Sequence, residues 1–397
     1  MKKILIFLII VLTFTSYAYG STMDSAIDEI PVENLEDYVN KNNSYFKDNN
    51  IKIRDLIANA FKGRLDISLK DYFMYELENE QGFFKEILKT GINILVICML
   101  LTIVKYFSDE FSSQSVSEIV LMFSVIIIFT IILKDVLSIK NLLKSDFAQF
   151  KIITEEINAI FMASMLTFGK LSILQFFYTS LNYVVGITTQ FVYKFTDVMT
   201  IILIAVILIN NMSKLINAKL MYKFLKKATL LILSGYMIII VINFSVQGYI
   251  LYKTDNIFIS SIKALSPSAV PVIGSAVSNF FGVFLKSVLM IKDVLGIVVI
   301  IFMFSAFGGS LIKIALALVL YKVVGVLTEP FSENISKLIY EMADMFYVYL
   351  ICLLTPIIIV TVYYSILLNY MNNILRNPWE TAPVTVSASS TVTLSWL

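Results

Sequence analysis

The sequence predicts an all-α, polytopic membrane protein with a cleaved signal peptide and a small N-terminal extracytoplasmic helical region. Hydrophobic residues make up 58% of the 397-residue chain and charged residues only 15%, and the mean hydropathy is +0.82. Soluble domains are nearer 45–50% apolar and about 25% charged. Several apolar runs also reach the roughly 20 residues that cross a bilayer. In order, the chain divides into residues 1–20, 21–82, 83–376 and 377–397.

Residues 1–20 have the three parts of a secretory signal peptide. Lys2 and Lys3 form the charged start, residues 4–12 are apolar, and small residues at positions 16–20 offer cleavage sites. That order is typical of secretory signals. The alternative is an uncleaved first anchor, but the short apolar core and the cleavage sites favour cleavage.

Residues 21–82 are polar and are expected to lie outside the cytoplasm. They contain thirteen acidic and seven basic residues. An amphipathic helix is predicted where apolar residues recur at helical spacing, at Ile53, Leu56, Ile57, Ala60 and Phe61. About 60 residues make a marginal core on their own, so this region is expected to lean on the membrane domain or on a partner.

The first two membrane spans are predicted at residues 83–107 and 116–133, with a short polar loop between them. Residues 134–156 carry charges of both signs and are interpreted as a connector. Their apolar positions fit a helix lying in the membrane interface.

Residues 157–210 leave the topology open. They have room for two spans with a turn near residues 180–183, or for one span and a re-entrant piece. The loop that follows, residues 211–227, contains five lysines and no acid, which predicts a cytoplasmic location by the positive-inside rule. If residue 83 starts outside, residues 157–210 must cross an odd number of times to satisfy that rule.

The second half of the chain continues the pattern of apolar runs. Residues 228–252 are predicted to span, and residues 271–292 to form a re-entrant or full span. Residues 295–327 are apolar around Gly308-Gly309, a pair that most simply marks a kink or a tight turn between helices. The last span is predicted at residues 345–370, with Pro356 as a kink, which gives seven or eight spans.

The tail, residues 377–397, differs from everything before it. It is rich in Ser and Thr and alternates with Val and Leu. A cloning-derived or frameshifted end is the favoured interpretation, and the tail carries no functional expectation.

Ionisable residues inside the longest apolar stretch, residues 269–331, mark the candidate site. Charges in such a run are costly unless they face protein or water. The candidate interface or pathway residues are Pro271, Gly274, Lys292, Asp293, Lys313 and Pro330. Simpler interpretations stay open: Lys292 can snorkel to head groups, Lys313 can end a packed helix, and Pro271 can begin an ordinary helix.

Several functional classes lack the residues they need. The chain has no histidine, and its two cysteines, Cys98 and Cys352, lie in apolar runs. Walker A, HExxH and GxSxG motifs are absent from the sequence. A net charge of +2 does not indicate a nucleic-acid partner. We therefore expect no catalytic residues, no cofactor and no metal.

Residues 235–330 resemble a known family. The stretches that carry the likeness are VPVIGSAVS at 270–278, IKDVLGIV at 291–298 and KIALALVLY at 313–321, followed by Pro330. They resemble the stage III sporulation protein AE family of endospore-forming bacteria, and a weaker likeness in layout extends back to residue 34. Asp293 departs from the uncharged amide expected there in the family.

The resemblance implies a membrane subunit of a secretion-like channel complex that connects mother cell and forespore during sporulation. It places the chain in the mother-cell membrane facing the forespore, with other subunits of the complex as partners. A homo-oligomer is compatible with it. The alternative is a stand-alone secondary transporter, which broken helices near Pro271 and Gly308-Gly309 would favour.

Overall fold

A computed structural model of the chain describes residues 36, 39, 44–61, 68–111, 114–167, 171–212, 218–251 and 294–376. The predicted signal peptide, the span or re-entrant segment at 271–292 and the tail lie outside these residues. Within them the chain is helical apart from short turns. The helices are α1 Ser44–Asp48, α2 Ile53–Phe61, α3 Leu69–Asn79, α4 Gln81–Phe111, α5 Gln114–Thr167, α6 Leu171–Met212, α7 Lys219–Leu251, α8 Val294–Thr328 and α9 Glu333–Arg376.

Six of the described helices contain a segment long and apolar enough to cross a membrane. The segments lie in α4 to α9, one in each helix: Gln81–Val104, Ile119–Ala159, Tyr178–Met212, Lys219–Phe244, Phe302–Thr328 and Glu333–Leu367. This architecture confirms the predicted class, an α-helical multi-pass membrane protein.

Helix α9 is the centre of the bundle. Within its most apolar window 83% of the residues are buried, against 22–44% in the other five helices. Helices α5, α6, α7 and α8 all pack against α9, while α4 packs on α8 and α5. Helices α5 to α8 therefore surround α9, α4 packs on the outside of α5 and α8, and the outer faces remain exposed.

Helix α5 is longer than the sequence analysis proposed. It runs unbroken for 54 residues, about 80 Å at 1.5 Å per residue, which is far more than the roughly 30 Å hydrocarbon core. Residues 134–156, interpreted above as a connector with an interfacial helix, are part of it. Several of their apolar side chains belong to the core: Leu143, Phe147 and Phe150 are buried.

Two of the charged residues in 134–156 find partners on neighbouring helices, so they are compatible with a helix that continues through the bundle. Lys140 Nζ lies 2.5 Å from Asp197 Oδ1 on α6. Asp135 accepts a hydrogen bond from the Tyr321 hydroxyl on α8. Polar residues that looked like solvent-exposed connector are thus inter-helix contacts.

Helix α6 removes the ambiguity in residues 157–210. It continues through residues 180–183, so the turn proposed there is wrong, and it contributes one candidate span. Starting from an exported residue 83, α4, α5 and α6 cross three times. The lysine-rich residues 211–227 then face the cytoplasm, in agreement with the positive-inside rule.

Gly308 and Gly309 do not form a turn, since α8 runs straight through them. They instead make room for α3. A Cβ at Gly308 would lie 3.5 Å from Tyr72 Oη, and one at Gly309 would lie 3.1 Å from Glu80 Oε1. Tyr72 also donates a 3.0 Å hydrogen bond to the Phe304 carbonyl oxygen. The N-terminal helices thus lean on α8, as the small size of this region suggested.

The ends of α4 and of the α8–α9 pair meet at one side of the bundle. The Thr102 hydroxyl donates to the carbonyl oxygen of Phe331, 3.1 Å away, in the turn between α8 and α9. Gly91, nearer the N-terminus of α4, lets α4 approach α8 closely. A Cβ at this position would lie only 2.9 Å from Val324 Cγ2. Asn211 at the end of α6 and Lys226 of α7 lie at the same side, as their contacts with α9 described below show.

Candidate functional site

Two buried carboxylates on α9 organise the candidate site. Glu341 and Asp344 are only 6% and 5% exposed. They are three residues apart on a helix, so both side chains point to the same side. Their partners come from three neighbouring helices and from α9 itself, and we call the whole set the α9 charge cluster: Asn210, Asn211, Tyr222, Lys226, Lys322, Lys337, Glu341 and Asp344.

Asp344 is held by two lysines at once. Lys226 Nζ on α7 lies 2.6 Å from Oδ2, and Lys322 Nζ on α8 lies 2.6 Å from Oδ1. The Tyr222 hydroxyl donates a further hydrogen bond to Oδ2. A single carboxylate therefore connects α7, α8 and α9.

Glu341 brings the fourth helix into the cluster. Asn211 Nδ2 on α6 donates to Glu341 Oε2 at 2.8 Å, and Asn210 Nδ2 lies 3.3 Å from Oε1. Lys337, one turn earlier on α9, lies 4.0 Å from Oε1. The end of α6 is thus tied to α9 one turn away from Asp344.

The cluster is tolerated inside the bundle because its members satisfy one another. Taking a lone charge out of water costs several kcal/mol, and mutual attraction offsets that cost when an opposite charge lies close by. Three lysines face two carboxylates, so the cluster carries a formal excess of one positive charge. Its evident role is to fix α6, α7 and α8 around α9.

An open groove adjoins the cluster between α7 and α8, with a volume of about 670 Å³. Its floor is the α9 face that carries Tyr340, Asp344 and Tyr347. The Lys322 ammonium lies 3.1 Å from the centroid of the Tyr340 ring, a cation–π contact. The groove makes Lys226, Lys322 and Asp344 of the cluster accessible from one side of the bundle.

The structure places two of the six residues proposed from the sequence. Lys313 does not belong to the α9 charge cluster. Its Nζ lies 3.2 Å from Glu80 Oε1 and 5.9 Å from the Phe83 ring centroid. Pro330 lies in the turn between α8 and α9. Pro271, Gly274, Lys292 and Asp293 lie outside the described residues, and their proposed roles stay predictions.

Sequence reasoning missed the residues that form the cluster. The last span, predicted at residues 345–370, starts just after Glu341 and Asp344, so they were not recognised as part of a membrane-spanning helix. The available signal was two acids three residues apart, directly before residues 345–375, which contain no charged residue. Their partners could not be found without the fold, because Lys226 and Lys322 are more than twenty residues away in the chain.

The architecture and a family comparison together identify the class to which the chain belongs. Among the described residues, no group of three or more Cys, Asp or Glu side chains is arranged to hold a metal ion. An enclosed central helix, a charged inter-helix cluster and six candidate spans define a multi-pass α-helical membrane protein. The family model "Stage III sporulation protein AE" matches residues 51–370, so the chain belongs to that sporulation family. No curated protein and no solved structure matched the chain.

Proposed function

We propose that this sporulation membrane protein is a subunit of a secretion-like channel complex connecting mother cell and forespore. In this proposal it resides in the mother-cell membrane that faces the forespore. It acts with other membrane subunits and catalyses no reaction itself. The observation that carries the proposal is the family match, which spans residues 51–370 and so includes all six candidate spans.

The architecture supports a structural role within an assembly. Helices α5 and α6 contain 54 and 42 residues, about 80 and 63 Å at 1.5 Å per residue. Both exceed the thickness of the hydrocarbon core, so each extends beyond the membrane. Long helices packed on an enclosed α9 provide a rigid body that can hold other subunits at a fixed distance from the membrane.

We propose that the α9 charge cluster holds the helices of this rigid body in one arrangement. Lys226, Lys322 and Asp344 connect three helices at one end of the bundle. Charged groups that satisfy one another only in a single arrangement favour that arrangement over others, and we propose that role here. Any use of ATP then belongs to a partner protein, since the sequence has no Walker motif.

The alternative function, a stand-alone transporter, had two supporting features, and the structure removes one of them. It relied on broken helices near Pro271 and at Gly308-Gly309. Helix α8 continues through both glycines, while Pro271 lies outside the described residues. The channel-subunit proposal is therefore the one that we carry to experiment.

The test is genetic deletion combined with purification from sporulating cells. A strain lacking the chain should complete engulfment and then fail to express late forespore genes, with spore yield falling by orders of magnitude. A tagged wild-type chain that restores sporulation should co-purify with other sporulation membrane proteins. Normal sporulation of the deletion strain would refute the proposal.

A reconstitution experiment separates the two functions. The purified chain in liposomes should not concentrate amino acids, sugars or inorganic ions under a proton or sodium gradient. Gradient-driven uptake of a solute by the chain alone, without co-purifying partners, would establish the transporter instead.

A further inference from the structure

The groove beside the α9 charge cluster combines charged side chains with an apolar wall. It has a volume of about 670 Å³ and lies between α7 and α8, whose described residues each pack on α9 but have little direct contact with each other. Its α8 wall consists of Val319, Val323, Val326 and Leu327, which are 50–62% exposed. Among the described side chains of α8 these are the exposed large apolar ones. The wall therefore opens toward the surroundings of the bundle at one end of α8.

The charged side chains that line the groove do not balance. Lys226 and Lys322 both pair with the single carboxylate of Asp344, so these three groups have one positive charge in excess. The α9 charge cluster as a whole has the same excess. Lys223, one turn before Lys226 on the same side of α7, is exposed and forms no ion pair with a carboxylate of the described residues. An anion that enters the groove therefore meets positive charge that the cluster does not neutralise.

The two lysines lie at the level where lipid head groups meet acyl chains. Lys226 is seven residues from the start of α7 and Lys322 is six residues from the end of α8, about 10 Å at 1.5 Å per residue. Both helix ends lie on the side of the lysine-rich residues 211–227, which the positive-inside rule assigns to the cytoplasm. The head-group layer is about 5–8 Å thick on each side of the hydrocarbon. The exposed acids Glu329 and Glu333 lie beyond this level, around the α8–α9 turn, and do not line the groove.

Two tyrosines add hydrogen-bond donors to the groove. Tyr340 and Tyr347 both line it, and Tyr340 is 48% exposed. Tyrosine rings favour the membrane interface, because one end of the side chain is apolar and the other is polar. The Lys322 ammonium lies over the Tyr340 ring, which keeps the lysine beside the groove. A phosphate at this level can therefore accept hydrogen bonds from hydroxyl and ammonium groups together.

We infer that this groove binds one anionic phospholipid of the cytoplasmic leaflet. The lipid phosphate contacts Lys226 and Lys322. The acyl chains pass Val319 and Tyr347, which line the groove about one turn deeper in the membrane than the charged residues on the same helices. Basic pockets between membrane helices on the cytoplasmic side bind anionic head groups in this way.

An anionic phospholipid matches both parts of the groove, whereas other occupants match one. A soluble anion contacts the lysines but leaves the apolar wall without a partner. A zwitterionic phospholipid covers the wall but brings an ammonium group, which the excess positive charge repels. The lipid with a net negative charge covers the wall and compensates the excess charge of the cluster.

This inference does not rest on the proposed channel function, since the groove can hold a lipid whatever the complex transports. Native mass spectrometry of the purified, delipidated full chain in detergent tests it. The chain is titrated with phosphatidylglycerol or with phosphatidylcholine of identical acyl chains. A single phosphatidylglycerol should bind at least about fivefold more tightly than phosphatidylcholine, the usual contribution of one basic side chain near an anionic membrane. Glycerophosphoglycerol, which has the same head group without acyl chains, should not displace it.

Two variants remove the site by different means, and each has a matched control. Lys226→Met leaves Asp344 paired with Lys322 and should weaken phosphatidylglycerol binding about fivefold. Lys227→Met should leave it unchanged, because this exposed neighbour points about 100° away on α7. Val323→Trp keeps every charge and fills the groove, so it should abolish the lipid adduct. Ile239→Trp, at a 66% exposed position of α7 outside the groove, should retain it.

Several results would overturn the inference. Equal affinity for the two lipids would mean that the groove has no preference for charge, and displacement by glycerophosphoglycerol would make it a site for a soluble anion. Equal losses in Lys226→Met and Lys227→Met would indicate general attraction to a basic surface. Retention of the adduct by Val323→Trp would place the lipid elsewhere. A wild-type chain that binds no phosphatidylglycerol but loses a co-purifying protein on Lys226→Met would show that the groove holds a protein segment.

Discussion

Lys322 and Asp344 lie on opposite sides of the turn between α8 and α9, and their side chains form an ion pair with a Nζ–Oδ1 distance of 2.6 Å. The same carboxylate binds Lys226 of α7 through its other oxygen. Asp344 therefore carries two of the inter-helix contacts at this end of the bundle. Removing the carboxylate and removing one lysine should have very different effects.

Asp344→Asn is expected to destabilise the protein strongly. The amide keeps the volume but removes the carboxylate that pairs with two lysines, each mostly buried. Stranding a buried charge costs about 3–5 kcal/mol. Thermal unfolding of the purified variant in detergent, followed by fluorescence, should show a clear fall in midpoint and a loss of membrane-inserted protein in cells.

The matched variant for this experiment is Lys226→Met. It leaves Asp344 paired with Lys322, so its midpoint should lie close to wild type. Lys226→Met combined with Lys322→Met should be as damaging as Asp344→Asn, because the carboxylate is then stranded. A wild-type midpoint for Asp344→Asn would mean that the cluster does not hold the helices together.

Gly91 should tolerate no side chain, even a methyl group. A Cβ there would meet Val324 Cγ2 at 2.9 Å and Leu320 Cδ2 at 3.0 Å, which forces α4 away from α8. Overpacking of this kind costs about 1–3 kcal/mol. Gly91→Ala should therefore lower the unfolding midpoint in detergent.

Gly235→Ala provides the control, since nothing lies within 4 Å of a Cβ at that position. Glycine in a helix loses more conformational entropy on folding than alanine does, so the Gly235→Ala variant should be neutral or more stable by about 0.5–1 kcal/mol. If both alanine variants behaved alike, the close approach of α4 to α8 would not be a determinant of stability.

The path of the chain predicts a definite topology. Residues 44–82 should lie outside the cytoplasm, while the α4–α5 loop near residue 112 and the lysine-rich loop near residue 213 should lie inside. Cysteines at Ser112 and Ser213 should resist a membrane-impermeant thiol reagent in intact cells and react after lysis. A reporter active only in the cytoplasm, fused after Lys62, should stay silent. Labelling of Ser213→Cys in intact cells would contradict the three-crossing path.

Lys292 and Asp293, which the sequence proposed as interface or pathway residues, can be tested by substitution. Lys292→Ala should reduce spore yield at normal protein level if the lysine contacts a neighbouring helix or subunit. Asp293→Asn should be mild, because it restores the amide expected in the family. A wild-type yield from Lys292→Ala would instead leave Lys292 snorkelling to lipid head groups, where its loss costs little.

Composition and periodicity predicted the class of the fold and the position of its first span. The span predicted at residues 83–107 is the interior of α4, Gln81–Phe111, because a long apolar run has few alternatives. The helical stripe at residues 53–61 is α2. These features depend on local sequence alone, which is why they could be predicted.

Helix lengths and the site could not be predicted in the same way. Charge in residues 134–156 suggested a connector, although α5 contains no Gly or Pro between residues 114 and 167 that would end a helix. Whether Lys140 is exposed or paired depends on Asp197, on another helix. The α9 charge cluster likewise exists only once α6, α7 and α8 are packed together. Such contacts are properties of the fold and have no local signature.

Enclosure of α9 has a consequence for the biogenesis of the protein. The ribosome makes α4 to α8 before α9, yet α9 supplies the surface on which α5, α6, α7 and α8 pack. Until α9 is inserted, the half-buried Lys226 of α7 and Lys322 of α8 lack the Asp344 carboxylate, and the surrounding helices have no central helix to pack on. The membrane insertion machinery or a membrane chaperone must therefore hold a loose set of helices until translation passes residue 367. Nascent chains that stop earlier present unpaired charges within the membrane, which makes them ready substrates for membrane proteases.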